Sequence, residues 1–318
     1  MNKLTTIAFL ISSTISFGAQ AVNIYKTADA SLDIGGRVEP RFNISDANEL
    51  NSSSSSSFDD ISRARLYIDG KTKVTDNIHV FGYYNGEMYS GSSDIKNRYM
   101  YAGIGTAYGA FSYGIQDSAQ VIVTNVTDIM ETFGGNSADI LNGNADEQEN
   151  NFVYLAQLPM DLTLTLNYIK DDDKGNYTGG GSVFYTSPIG IQVGLGYISG
   201  EQSSVDANQY NFALAYTWED FYIGALYVSG DIDKVDVEGY EIATQYTIND
   251  FIFRYVYNYR DSDYKSATQI SEYAVNSNAI EGVYNITNNF VTYAGYEFNR
   301  LDGKANDNQL QAGIRYSF

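Results

Sequence analysis

The chain of 318 residues contains no cysteine, one histidine, one tryptophan and three prolines. Without cysteine there is no disulfide framework, no thiolate metal site and no thiol nucleophile. The single histidine, His79, is the one side chain that could serve a hydrolytic triad as base, and no G-x-S-x-G segment accompanies it. It sits beside a short turn and is read as a wall or interface residue, so no enzyme is expected. Basic residues are also scarce, 19 against 39 acidic, which gives a formal net charge of −20 and a pI of about 4.2. Such a balance repels a phosphate backbone and excludes nucleic acid as a partner. Long apolar runs are missing too. No stretch of 18 or more apolar residues follows the first 21, so no helix is expected to span a membrane.

The first 21 residues differ from the rest. Lys3 supplies a positive start, Ile7 to Ile11 open a short apolar run, and Ala19-Gln20-Ala21 has the small-x-small form of a signal-peptidase site. Residues 1–21 are therefore read as a cleaved signal peptide and residues 22–318 as one domain, exported across the inner membrane. The remaining choice is between a periplasmic protein, a secreted protein and a membrane β-barrel.

Alternation decides among these. Leu310, Ala312, Ile314, Tyr316 and Phe318 are apolar, while Gln309, Gln311, Gly313, Arg315 and Ser317 between them are polar or small. A period of two places the sets on opposite faces of a strand. The same pattern runs through Leu162 to Tyr168 and through Phe251 to Tyr259, where Arg254, Asn258 and Arg260 occupy the polar side. Aromatics make up 14% of the chain and crowd towards strand ends, as in Phe221-Tyr222 or Tyr296 and Phe298, where amphipathic rings suit a headgroup interface. Short turns, such as Thr75-Asp76-Asn77, Trp218-Glu219-Asp220 and Ile248-Asn249-Asp250, alternate with segments read as long polar loops. Those loops are 45–60, 116–150, 171–177, 200–206, 231–236, 261–271 and 301–307, with the serine run Ser52 to Ser57 in the first. Short turns on one side and long loops on the other describe a transmembrane barrel. Counting runs from Leu32 predicts an all-β, antiparallel transmembrane β-barrel of about 16 strands. No linker or second domain is left over.

Several segments then carry a resemblance. Ala64-Arg65-Leu66-Tyr67-Ile68-Asp69-Gly70, Phe81-Gly82-Tyr83-Tyr84, Asn97-Arg98 and Tyr108 to Gly114 resemble the second to fifth strands of the general porins of Gram-negative outer membranes. Thr127-Asp128-Ile129-Met130-Glu131-Thr132-Phe133-Gly134-Gly135 is similar to that family's third-loop motif, an acidic-Phe-Gly-Gly element in a loop folded into the lumen. Gln311-x-Gly313-x-x-Tyr316-x-Phe318 resembles the outer-membrane assembly signal. The resemblance implies a homotrimer in the outer membrane, inserted by the barrel-assembly machinery and surrounded by lipid and lipopolysaccharide. It implies no cofactor.

The residues agree with a channel for small hydrophilic solutes. Arg63, Arg65, Tyr67 and Asp69 share one face of their strand and Ala64, Leu66, Ile68 and Gly70 the other. Arginines facing lipid would cost about 2–4 kcal/mol each at the midplane, so the arginine face is expected to be the lumen. Arg37 and Arg41 follow by the same alternation, in phase with Asp33 and Glu39. By resemblance, Arg65 and Arg98 fall on the basic wall of the constriction, joined by Arg37 and Arg63, with Asp128 and Glu131 on the acidic loop facing them. The motif also departs from the family. Thr132 stands where the family has the acid before Phe133-Gly134-Gly135, Ile115 where many relatives keep an arginine, and no arginine marks 151–155. A less positive constriction and weak cation selectivity are therefore expected. Two other readings stay open: a sugar-preferring pore with lumen aromatics such as Tyr67, Tyr83 and Tyr293, and a structural or adhesive surface barrel with a plugged lumen. The aspartates at 171–173 and 231–236 lack the spacing of a calcium loop, and no metal is expected there.

Overall fold

Residues 22–45, 56–171, 176–262, 274–300 and 307–318 are described by the computed structural model. The expected signal peptide, Ser52 to Ser55, Asp172 and Asp173 lie outside them. The alternating segments become antiparallel ladders: β1 (Val22–Lys26), β2 (Ala30–Glu39), β3 (Arg41–Ser45), β4 (Phe58–Asp60), β5 (Arg63–Thr75), β6 (Ile78–Tyr89), β7 (Ile95–Thr106), β8 (Gly109–Gln116), β9 (Gln148–Leu158), β10 (Leu162–Lys170), β11 (Tyr177–Thr186), β12 (Ile191–Gln202), β13 (Val205–Trp218), β14 (Phe221–Ile232), β15 (Val235–Ile248), β16 (Phe251–Ser262), β17 (Val275–Thr287), β18 (Phe290–Asn299) and β19 (Gln309–Ser317).

These segments form sixteen staves of a closed barrel. β2 and β3 are one stave, interrupted at Pro40, and both pair with β19. Proline has no N–H to give the ladder, but its carbonyl still accepts the Ile314 N–H at 3.0 Å. The next N–H, that of Arg41, turns to Ser62 Oγ at 3.0 Å. β4 and β5 make the second stave, paired with β3 and β2 respectively. β1 is a short edge strand on the start of β2. The ring closes at the chain end, where the Phe318 N–H donates to the Gly36 carbonyl at 3.0 Å and the Gly36 N–H to the Phe318 carbonyl at 2.8 Å. Closure removes the unpaired edges that an open sheet would expose.

The two faces differ in chemistry. On β13, Tyr210, Phe212, Leu214, Tyr216 and Trp218 are exposed, while Ala207, Gln209, Asn211, Ala213 and Ala215 are buried. Large exposed apolar side chains recur on nearly every stave, far beyond what a water-soluble surface carries. Aromatic rings flank this belt. Phe251 and Tyr284 stack at 4.5 Å near the short turns, and Tyr240 and Tyr259 stack at 5.0 Å towards the other rim. The apolar face is thus the outer, lipid-facing one and the polar face the inner one.

The loop reading needs two corrections. The segments 200–206 and 231–236 are not long loops, because β12–β13 and β14–β15 pair down to the two-residue turns Ser203-Ser204 and Asp233-Lys234. All four turn residues have positive φ, between 52° and 67°, the backbone twist that suits a tight hairpin. Polar residues such as Glu201, Asp206, Asp231 and Asp236 looked like loop because above the apolar belt both faces of a strand meet water. Alternation vanishes there while the ladder continues. The segment 117–147 is a true excursion, with a short α-helix (Val121–Thr124) near its start and a 3-10 turn (Asn142–Asn144) near its end.

Candidate functional site

The inner face of β2, β5, β6 and β7 carries a ladder of interleaved charges. Arg37 Nη2 lies 3.2 Å from Glu39 Oε2, and Arg63 Nε lies 2.6 Å from the same atom. Glu87 follows, in contact with Arg65, 3.7 Å from Arg63 and 3.3 Å from Arg98. Arg98 reaches on to Glu147 at 2.5 Å. The carboxylates Glu39 and Glu87 are fully buried beneath guanidinium groups that stay 14–18% exposed. Register explains the order, since Arg37 faces Arg65 and Arg65 faces Glu87 across adjacent staves. Arg98 joins because a bulge interrupts the β6–β7 register between Asn85 and Gly86, leaving Arg98 without a pairing partner and turning it towards Glu87.

The segment 117–147 is tethered to inner-face groups on many staves. Gln120 Nε2 donates to the Gly181 and Tyr197 carbonyls at 3.1 and 3.0 Å. The Ile140 and Leu141 N–H groups donate to Gln209 Oε1 at 3.0 and 3.1 Å. Thr127 Oγ1 and the Ser137 N–H both donate to Glu241. Val123, Val126, Ile140 and Leu141 pack against Ile198, Leu226, Val228 and Val237, so the main apolar cluster of the molecule lies between this segment and the wall. Wall glycines leave it room: a Cβ on Gly224 would come within 2.5 Å of the Val126 carbonyl oxygen, and one on Gly295 within 2.1 Å of Thr132 Oγ1.

The motif residues divide into two sets. Glu131 accepts a fork of hydrogen bonds from Arg315, one of them 3.0 Å from Nη2, and lies 3.9 Å from Arg254. Its carbonyl receives Arg41 Nη1 at 3.5 Å. Burial alone would raise the Glu131 carboxyl, but the hydrogen bonds and charge of Arg315, with Arg254 behind, hold it below the usual glutamate range. The Glu131 and Thr132 N–H groups and the Thr132 hydroxyl all donate to Glu281 Oε2, at 2.8, 2.9 and 2.8 Å. Glu281, itself ion-paired to Arg254 at 2.9 Å, thus ties the backbone of positions 131 and 132 to the wall. Phe133 is half-buried, and Gly134 and Gly135 take φ of 132° and 67°, values that favour glycine.

Asp128 belongs to neither arginine set. It is exposed and makes no ion pair among the described residues. A Cβ on Gly135 would sit 3.4 Å from its carboxyl carbon, so the side chain folds back over the Gly-Gly turn. Enclosure by the surrounding protein, with the acidic neighbours Asp146, Asp139, Glu131 and Glu281, pushes its carboxyl up to about 6. The structure therefore brings Arg37, Arg63, Arg65 and Arg98 together with Glu39, Glu87 and Glu147, and brings Glu131 to Arg315 and Arg254. Arg254 and Arg315 were visible in the sequence as polar-phase residues of β16 and β19. Nothing in one sequence says which distant stave a loop acid meets.

At the C-terminus, Gln311 takes a hydrogen bond from Arg41, and the Tyr293 ring lies across Gly313 on the inner face. Tyr316 and Phe318 are exposed on the outer face with their rings stacked at 6.4 Å. No cluster of metal-ligating residues occurs among the described residues.

Comparison with known proteins adds to this geometry. A family profile described as Gram-negative porin matches residues 6–304. Porin-like protein L of Photobacterium profundum is 33% identical over 346 residues, covering all of both chains. Among solved structures, OmpF of Salmonella typhi, in complex with daunomycin, superposes with a TM-score of 0.81 at 17% identity, over 93% of this chain and 100% of that one. OmpT, an outer membrane protein of Vibrio cholerae solved in a trimer form, gives a TM-score of 0.71 at 17% identity, over 91% and 100%. At such identities these structures speak for the fold.

Proposed function

Because the chain belongs to the Gram-negative porin family, whose members are outer-membrane channels, we propose that its water-filled lumen passes small hydrophilic solutes and ions by passive diffusion. In this reading segment 117–147 crosses and narrows the lumen, and the passage is weakly cation-selective. The observation that carries it is the tethering of that segment to inner-face groups from β11 to β19, with Asp128 left exposed and unpaired. The wall arginines Arg37, Arg63, Arg65 and Arg98 are compensated by Glu39, Glu87, Glu147 and, 3.8 Å from Arg98, Asp146, so their positive field is largely cancelled locally. Arg41 is buried against Gln311 and the Glu131 carbonyl, so the exposed uncompensated charge is that of Asp128, and it raises the local concentration of cations.

Single-channel recording tests this directly. The purified protein in planar bilayers is expected to give stable current steps and a reversal potential of cation-selective sign in a KCl gradient. The preference should shrink as salt rises, since screening shortens from about 8 Å at physiological ionic strength to about 3 Å at 1 M. Absence of steps would refute the pore, and an anion-selective sign would refute the charge assignment.

We also propose that residues 1–21 are removed and that the mature chain, inserted by the barrel-assembly machinery among lipid and lipopolysaccharide, assembles as a homotrimer. The OmpT structure in trimer form supports that assembly. Gels should show an SDS-resistant trimer band that collapses on heating, and intact mass should correspond to a chain starting at Val22. A monomer in mild detergent would count against the trimer, and a retained leader against the cleavage.

A further inference from the structure

Below the arginine ladder, towards the short turns, the inner face changes character. Tyr67 on β5, Phe81 and Tyr83 on β6, and Tyr99 and Tyr101 on β7 form a continuous aromatic patch. Centroids are 6.3 Å apart for Tyr67–Tyr83, 6.1 Å for Tyr83–Tyr99, 5.5 Å for Tyr83–Tyr101 and 6.4 Å for Phe81–Tyr101. The strand period places all five on the side of Arg65 and Glu87, away from lipid. His79 continues the patch, 6.0 Å from Phe81.

The rings at its margins lie close against the wall. A Cβ on Gly35 would fall 2.2 Å from Tyr67 Oη, one on Gly103 would fall 2.5 Å from the Phe81 ring, and one on Gly105 would fall 2.2 Å from His79. The backbone opposite each of these rings is cut back to glycine, so the ring leans close over the wall. Bracing of glycines by rings accounts for that posture. It does not account for five contiguous aromatics in a water-filled passage, where exposed apolar surface is unfavourable. Polar groups border the patch in register. Asp33 lies opposite Asp69, Asp69 opposite Tyr83, and Lys71 opposite Phe81.

Aromatic rings edged by carboxylates and an ammonium group match a pyranose ring, which has apolar C–H faces and a rim of hydroxyls. We propose that this shelf is a subsite for neutral saccharides in transit, on the short-turn side of the charged ladder. Sugar C–H faces stack on Phe81 and on Tyr83 with Tyr67, whose planes differ by 33°, while Tyr101, edge-on to Phe81 at 77°, walls the shelf and rim hydroxyls donate to Asp33 and Asp69. The inference rests on the pore reading above and names a solute class for it.

The test uses the purified channel in planar bilayers with maltotriose as probe and a polyethylene glycol of similar mass as steric control. Maltotriose should block the KCl current reversibly and saturably, beyond the effect of the polymer. Phe81→Leu, which keeps an apolar side chain but loses the π-face, should weaken the block, and Phe81→Leu with Tyr83→Leu should weaken it by about tenfold, at near wild-type open conductance. Tyr83→Phe should retain it. A maltotriose effect equal to that of the polymer, or one undiminished in the double variant, overturns the proposal while the pore stands. A protein that never conducts overturns the pore reading and the subsite with it.

Discussion

Replacing Asp128 by Asn together with Glu131 by Gln is expected to carry the reversal potential to the anion-selective side, the largest change any pair of loop substitutions should produce. The two contribute differently. Asp128 has no ion pair among the described residues, so Asp128→Asn removes a negative charge from the passage without uncovering a positive one. Glu131→Gln removes a charge and takes from Arg315, whose side chain is 4% exposed, its nearest carboxylate, leaving Glu39 at 3.7 Å, while Arg254 keeps Glu281 at 2.9 Å. Breaking a buried pair of this kind costs about 3–5 kcal/mol, and the Arg315 fork is one of the ties of segment 117–147 to β19. Glu131→Gln alone should therefore add current noise as the segment loosens, whereas Asp128→Asn should shift selectivity at constant noise. Asp171→Asn, in an outer loop, should barely move the potential, because its charge is screened over about 8 Å at physiological salt. An unchanged reversal potential in the double variant would show that Asp128 and Glu131 do not line the passage. Proton linkage gives an independent check. The Glu131 carboxyl is held below its ordinary range, so its contribution is complete at neutral pH, above the unfolded value, and is lost as pH falls through the depressed folded value. The loosening signature should then appear in the wild-type channel in acid only.

Phe318→Ala is expected to lower the amount of inserted protein several-fold while the surviving channels conduct normally. The terminal residue does two things. Its backbone closes the barrel on Gly36 through two hydrogen bonds, and its ring lies over Gly36 on the outer face, where a Cβ on Gly36 would meet ring carbon at 2.9 Å. Alanine keeps the backbone bonds but loses the ring contact, the stack on Tyr316 and the aromatic end of Gln311-x-Gly313-x-x-Tyr316-x-Phe318. A loss of 1–2 kcal/mol is enough to change cellular abundance several-fold, and slow insertion adds exposure to periplasmic proteases. Conductance should be unaffected because Phe318 faces away from the lumen. Wild-type levels of heat-modifiable protein in the membrane fraction would refute this assignment, and altered conductance would mean that the terminal ring shapes the passage.

Where a strand is half in lipid and half facing water, its sequence has to alternate, and that made the barrel, its two faces and its approximate strand number readable. The arginine face of β5 was legible for the same reason, since the alternative is charge in hydrocarbon. Legibility ended where that pressure ends. Above the apolar belt both faces are wet, and the hairpin tips at Ser203-Ser204 and Asp233-Lys234 looked like long loops. Pro40 hid the continuity of the first stave because it withdraws one N–H without breaking the ladder around it.

The sequence by itself determined the antiparallel barrel, the lipid and lumen faces, the aromatic rims and the position of the long excursion at 117–147, because each follows from solvation acting on residues near in sequence. The tertiary structure decided the pairing of charges. Glu131 meets Arg315 and Arg254, Glu281 ties Thr132 to the wall, and Arg98 turns to Glu87 at a bulge, while Asp128 is left alone. Those partners are separated by up to 184 residues. Their meeting depends on register, on stave tilt and on where wall glycines such as Gly224 and Gly295 let a loop lie close, none of which leaves a periodic mark on the chain.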